Sequence, residues 1–452
     1  TLFRRGDTFD WRLPLRLVDA SSTGSMIGSF GPDDGRVIVR ASGRTTIDPG
    51  NDWRVGGLAL HGPPDGRGAA FTERQGIRRF TAHDIEVRGF DHCIDFFSQR
   101  SPATEVAFID LLCTEFPDPG RGASLFEDTE SSMFLGIEVA RGDKRHPDDR
   151  TEFGHRAIIS HKKLVQHSRY SGRAPNHSKG ALQLRHCETA GDWPVRCPDG
   201  KFPGRYVIVS DNHFIEGGGP RAHSVIRTCD HASCTRTPLG SQPLSDWIFE
   251  RNLIQLKIED PAKEQLRTAM QVQSAHTSIR NNIVDLRGYP HREARARATF
   301  VVVPPPSNTA RDQINGVWVL HNTVLLSEGF PGTVALCDGP TGGAHHCSNN
   351  LLYAPGLKTG ITTAVQPTWS AAGNRTVTSG PVPFAQPLAP PLVANLRALD
   401  GFRLRPGTPG DSAAGSDLSG GSARWMARDV FLQCRGKGRP DAGAHQRDGA
   451  DC

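Results

Sequence analysis

Residues 155 to 186 concentrate titratable side chains: His155, His161, Lys162, Lys163, His167, His177, Lys179, Arg185 and His186. Cations packed together lower a lysine's pKa, and a lysine so lowered can act as a general base. Arg and His can neutralise a carboxylate. These are the requirements of β-elimination on a uronic-acid polymer. A base removes the C5 proton, a cation neutralises the carboxylate and so acidifies that proton, and an acid protonates the glycosidic oxygen. The expected partner is therefore an acidic polysaccharide. For a single histidine taken alone, a structural role is the ordinary reading.

Short strands must position these groups. Alternation sends Leu182 and Leu184 inward and leaves Gln183 and Arg185 outward. In later segments Ile226 and Val272 turn inward, while Arg227, Gln271 and Gln273 turn outward. Arg185, Arg227 and Gln273, with Ser160 and Lys162 one coil earlier, would form a basic, hydrogen-bonding stripe on a flat sheet. Arg can grip a carboxylate with two parallel hydrogen bonds. Gln183, His186, His155, His223, Arg227 and Gln273 are the expected substrate contacts. Lys162, Lys179, Arg185 and His161 are cationic groups of the kind such an elimination needs. The alternative for such a stripe is a solvated sheet face, since exposed charges are ordinary.

The strands repeat. Segments with a polar position, usually Asn, followed by apolar residues recur at 164–170, 209–214, 249–254, 279–284, 319–324 and 347–352. A second strand type lies between them: Ala157–Ser160, Ala181–Arg185, Ser224–Arg227, Met270–Gln273, Phe300–Val303 and Val334–Cys337. Such a repeat marks a solenoid, whose coils bury their inner faces only by stacking. Stacked Asn amides at a coil corner hydrogen-bond along the stack and tolerate a left-handed bend. A β-sandwich would instead need tight antiparallel hairpins, and few are seen. The expected fold is all-β, a single-stranded right-handed parallel β-helix over 1–375. An extended Pro- and Gly-rich segment, 376–452, should pack back along it.

Two segments add a resemblance. Gly180-Ala181-Leu182-Gln183-Leu184-Arg185-His186 resembles the Gly-x-Leu-Thr-Leu-Arg-His segment of the β-helix alginate lyases and chondroitinase B, polysaccharide lyase family six. Ile158-Ile159-Ser160-His161-Lys162 resembles that family's Ile-Ser-x-Lys strand. The resemblance implies Lys162 as base and Arg185 as acid, one coil apart, and Ca2+ as cofactor. The family's Glu-x-Glu calcium ligands are replaced here by His155-Arg156-Ala157, which leaves Ca2+ without that pair and keeps Lys179 or a histidine open as the base.

Composition sets outer bounds. The 452 residues include 49 Gly and 33 Pro, which suits many short strands and turns. The formal net charge of +5 fits an acidic partner, and the lack of a long basic run speaks against nucleic acid. No apolar run reaches the roughly 20 residues of a membrane helix. Ten cysteines suggest neighbour pairs 93–113, 187–197, 229–234, 337–347 and 434–452, and hence a secreted or periplasmic protein. The chain opens on Thr1 without a visible signal peptide, as a piece of a longer precursor would, and a monomer is expected. Rival functions are a glycoside hydrolase drawing on Asp211, Glu216, Asp246, Glu250 or Asp285, a C5-epimerase, and a non-catalytic glycan-binding adhesin or structural β-helix protein.

Overall fold

The structure is a computed structural model. It describes residues 1–11, 14–19, 24–32, 35–43, 45–73, 76–90, 92–97, 103–114, 124–127, 129–135, 138–142, 149–152, 154–160, 163–166, 182–185, 205–216, 224–228, 245–256, 268–272, 274–287, 297–303, 316–339, 344–357, 369–380 and 382–384. The chain divides into two compact units. Unit 1 holds Thr1–Ile208 with Cys229–Gln242, and unit 2 holds Val209–Thr228 with Pro243–Cys452. Each is a right-handed parallel β-helix.

Alternation makes the strands. In Val37–Ala41 the odd positions Val37, Val39 and Ala41 are buried, and Ile38 and Arg40 face outward. Among the described residues a complete coil passes through three ladders, where the repeat read from sequence has two strand types. The reason is the corner: the Asn-bearing segments contain the end of one strand, a bend, and the start of another. In unit 1 the first ladder runs through Ser25–Phe30, Thr129–Leu135 and Gly154–Ser160, and the third through Ala69–Glu73, His92–Phe97, Ser124–Glu127, Asp149–Glu152 and Leu182–Arg185. The long strands Trp53–His61, Arg78–Arg88 and Ala103–Thr114 pass through both the first and second ladders. Phe71, Phe80, Phe96 and Phe108, all fully buried, pack edge-on or tilted with ring centroids 5.4–6.2 Å apart and fill this unit's interior.

In unit 2 the first ladder runs through Ser245–Glu250, Ser278–Arg280, Trp318–Leu320, His345–Ser348 and Trp369–Ala372. The second runs through His213–Glu216, Leu253–Leu256, Ile283–Asp285, Thr323–Leu325, Leu351–Tyr353 and Arg375–Val377. Between them the chain turns through a left-handed residue followed by Asn. The left-handed residues are Asp211, Arg251, Asn281, His321, Asn349 and Gly373, with φ from 53° to 65°. The five that are not glycine each bear a strain of about 1–2 kcal/mol.

The following residues offset that strain. Asn252 Nδ2 donates to Asn282 Oδ1 at 2.9 Å, Asn282 to Asn322 at 2.9 Å, Asn322 to Asn350 at 3.0 Å, and Asn350 to Asn374 at 3.0 Å. Each backbone N–H of Asn212, Asn252, Asn282, Asn322 and Asn350 also donates to the next Asn Oδ1, at 2.9–3.1 Å. The amide stack expected from sequence is present at Asn212, Asn252, Asn282, Asn322 and Asn350, and it extends to Asn374. The segment starting at Leu164 differs: Lys163–Gln166 is a second-ladder strand paired with Glu138–Gly142. Likewise Ala157–Ser160 belongs to the first ladder, whereas Leu182–Arg185 and the later strands of its type belong to the third.

Two of the expected disulfides, Cys93–Cys113 and Cys337–Cys347, are formed between fully buried cysteines. The other three pairs lie outside the described residues. Where the Pro-rich segment begins, Val377 and Phe384 join Leu325, Leu351 and Tyr353 in one core cluster, with Val382 against it. Residues 385–452 are outside the described set, and no helix among the described residues is long and apolar enough to cross a membrane.

Candidate functional site

Two adjacent third-ladder rungs in unit 1 carry the sequence motif. Asp149–Glu152 pairs in parallel with Leu182–Arg185, setting Arg150 opposite Gln183 and Glu152 opposite Arg185. Neighbouring rungs stand about 4.8 Å apart. The row of Arg150 and Gln183 continues through Leu125 to Asp95, a partly exposed residue flanked by buried Ile94 and Phe96. Two rungs therefore offer Arg, Gln, Glu and Arg at alternate positions. Arg150 and Glu152 were not among the residues singled out from sequence. The alternation Arg150-Thr151-Glu152 was the available signal.

Of the other expected residues, His155 and Arg227 are among the described ones. His155 lies in the first-ladder strand Gly154–Ser160, in register with Glu130. This strand and Leu182–Arg185 follow one another within a single coil, whereas the resemblance implies adjacent coils. Arg227, in unit 2, is in register with Gln271, so the row it begins does not run to Gln273. His161, Lys162, Lys179, His186, His223 and Gln273 lie outside the described residues.

Unit 2 shows what its carboxylates do. Arg251 donates from Nε and Nη2 to the two oxygens of Asp211, both at 2.8 Å, and its Nη1 lies 2.8 Å from Glu250. Glu250 is also met by Arg280, at 2.8 Å from Nε and 2.7 Å from Nη2. Burial works against the charge on Arg251, but its hydrogen bonds to Asp211 and the field of both carboxylates overcome it and raise its pKa above the ordinary arginine value. Deeper in, Asp285 is fully buried and accepts a bidentate pair from Arg287 at 2.8 Å, together with Gln255 Nε2 at 3.3 Å. Gln255 Oε1 in turn meets His213 Nε2 at 2.7 Å. Asp246 stands 3.6 Å from His276.

Where the resemblance implies two glutamates as calcium ligands, this chain has His155-Arg156-Ala157. Among the described residues no group of three or more His, Cys, Asp or Glu side chains could hold a metal ion.

No family model matches the sequence. No curated protein matches it either. Among solved structures the chain is similar to a PL6 family alginate lyase, at 10% identity and a TM-score of 0.44, with 82% of this chain and 50% of that one covered. It therefore spans half the length of that structure. It is also similar to the tailspike protein of an E. coli bacteriophage in complex with a pentasaccharide, at 10% identity and a TM-score of 0.41, covering 83% of this chain and 72% of that one. A third is the pectate lyase Pel9A, at 13% identity and a TM-score of 0.38, covering 99% and 89%.

Proposed function

We propose that the chain is a polysaccharide-active β-helix protein that cleaves a uronic-acid polymer by β-elimination, with Lys162 as base and Arg185 as acid. The observation that carries this reading is the third-ladder pairing of Glu152 with Arg185 and of Arg150 with Gln183. It places Arg150 and Arg185 on adjacent rungs, one coil rise apart, and a guanidinium can grip a carboxylate through two parallel hydrogen bonds. Arg185 would protonate the glycosidic oxygen and Lys162 would take the C5 proton. Gln183, His155 and His186 would hold the substrate in unit 1; Arg227, His223 and Gln273 are proposed substrate contacts of unit 2. Two buried disulfides support an extracytoplasmic location.

The hydrolase alternative needs two carboxylates free to serve as acid and as base or nucleophile. Asp211, Glu250 and Asp285 are each committed to arginines, and Asp246 stands beside His276, which counts against them. A second reading, glycan binding without turnover, is favoured by His155-Arg156-Ala157 standing where the resembling family has its two glutamates.

The test is the absorbance of unsaturated uronates during incubation with alginate, pectate, chondroitin and glucuronan, with and without chelator. A rise on one polymer, lost in Lys162→Ala and in Arg185→Ala, is expected. Full activity in both variants would refute the assignment. Cleavage to reducing ends without the new absorbance would point to a hydrolase, and inverted C5 centres without cleavage to an epimerase. Tight binding without any product would establish the second reading.

A further inference from the structure

We infer that Asn374 is an acceptor site for an N-linked glycan, and that this glycan covers an open end of the coil stack in unit 2. Asn374-Arg375-Thr376 has the Asn-x-Ser/Thr form that N-glycosylation requires, with no proline in the middle. The described residues hold one such triplet. The other in the chain, Asn176-His177-Ser178, lies outside them.

Hydrogen bonding sets Asn374 apart from the asparagines stacked before it. Asn252 Nδ2 donates to Asn282 Oδ1 and to the Val209 carbonyl. Asn282 Nδ2 donates to Asn322 Oδ1 and to the Phe249 carbonyl. Asn350 Nδ2 donates to Asn374 Oδ1 and to the Val319 carbonyl. These amides have both N–H groups in use. Asn374 Nδ2 donates once, to the Cys347 carbonyl at 2.6 Å. It is the last asparagine of the stack, so among the described residues no further amide oxygen meets its second N–H. Asn374 and Thr376 are partly exposed, and Ala372 and Arg375 are exposed. An asparagine that carries a glycan keeps one N–H and its carbonyl oxygen. It can therefore still donate to Cys347 and still accept from Asn350.

The transfer takes its sugar from a lipid-linked oligosaccharide diphosphate, on a membrane-bound transferase. Asn374 Nδ2 forms a bond to the anomeric carbon. The bond from that carbon to the diphosphate breaks, its electron pair leaves on the diphosphate oxygen, and the displaced amide proton passes to a base of the transferase. The reaction belongs to the oxidising side of the membrane, where the disulfides Cys93–Cys113 and Cys337–Cys347 would also form.

The position gives the glycan a task. Trp369–Ala372 pairs with His345–Ser348, and Arg375–Val377 with Leu351–Tyr353. Among the described residues neither strand has a partner on its other side. Such edges are templates for pairing with another chain. Asn374 lies between the two strands, so a bulky hydrated group attached there obstructs both. Neither Lys162 nor Arg185 enters this inference, and it stands whether or not the chain is a lyase.

The test is secretion of the full chain from a eukaryotic host, followed by glycopeptide mapping and intact mass before and after peptide-N-glycosidase treatment. The Asn374 peptide should carry a glycan, and enzymatic release should leave aspartate at that position. Thr376→Val removes the hydroxyl of the triplet while keeping Asn374 in the stack. It should lose the glycan and keep the melting temperature of the deglycosylated wild type. Asn176→Gln should leave the glycan on Asn374. Both the deglycosylated wild type and Thr376→Val should self-associate more than the glycosylated chain in sedimentation velocity. An unmodified Asn374 peptide from the secreted wild type would overturn the inference, as would a glycan at that position that persists in Thr376→Val. Equal sedimentation of the glycosylated and deglycosylated chains would refute the covering role.

Discussion

Gly56 and His83 hold the same register position in neighbouring coils of unit 1, and the His83 ring occupies the space a Gly56 side chain would need. A Cβ on Gly56 would stand 2.2 Å from His83 Cε1 and 2.3 Å from Nε2. The contact is with the body of a ring rather than the end of a flexible chain. Gly56→Ala is therefore expected to cost about 1–3 kcal/mol, read by denaturant unfolding. Adding His83→Ala should restore most of that loss, and a double variant no better than Gly56→Ala would show that the strain lies in the backbone.

Asn282 sits in the middle of the amide stack. It accepts from the backbone and side chain of Asn252, and donates to Asn322 Oδ1 and to the Phe249 carbonyl. Asn282→Ala takes the partner from the buried backbone N–H of Asn252 and one partner each from Asn252 Nδ2, Asn322 Oδ1 and the Phe249 carbonyl, while Nδ2 keeps Val209 and Asn322 Oδ1 keeps the residue-282 N–H. A loss of about 2–4 kcal/mol is expected, since each orphaned buried group costs about 1–3 kcal/mol. Asn374→Ala, at the partly exposed end of the stack, should cost less because water can reach Asn350's donors. Equal losses at the two positions would contradict this account.

Asp285 and Arg287 make a buried pair, with side-chain exposures of 0% and 13%. Asp285→Asn removes one charge and strands the other, at an expected cost of about 3–5 kcal/mol. Replacing both residues by leucine should cost less than the single change, because no charge then remains to be desolvated. The measurement is the unfolding midpoint of both variants, and a double variant that is the worse of the two would overturn the prediction.

Tyr353 titrates above the ordinary tyrosine value because burial disfavours its phenolate and Glu328 adds repulsion. The unfolded chain therefore loses this proton before the folded one does. Stability from Tyr353 is complete below pH 10.0 and declines as pH rises through the folded value. Tyr353→Phe should show a shallower fall in stability on the alkaline side, measured by urea unfolding at stepped pH. Parallel curves for wild type and variant would sink the assignment.

The strand alternation and the stacking of Asn212, Asn252, Asn282, Asn322 and Asn350 were legible in the chain, and cysteine order suggested the pairs Cys93–Cys113 and Cys337–Cys347 that the structure forms. Each of these depends on a short, regular feature: which side of a strand faces inward, or which residue type tolerates a corner. Only the tertiary structure decided that a complete coil among the described residues passes through three ladders, that Arg227 aligns with Gln271 rather than Gln273, and that Ala157–Ser160 lies in a different ladder from Leu182–Arg185. Nor could the chain alone reveal that Asp211, Glu250 and Asp285 are taken up by arginines. In a parallel solenoid the partners of a rung lie a whole coil away along the chain. Loops of unequal length separate them, so local pattern fixes each strand's faces while inter-coil register, and every contact that depends on it, is set by the closure of the coils.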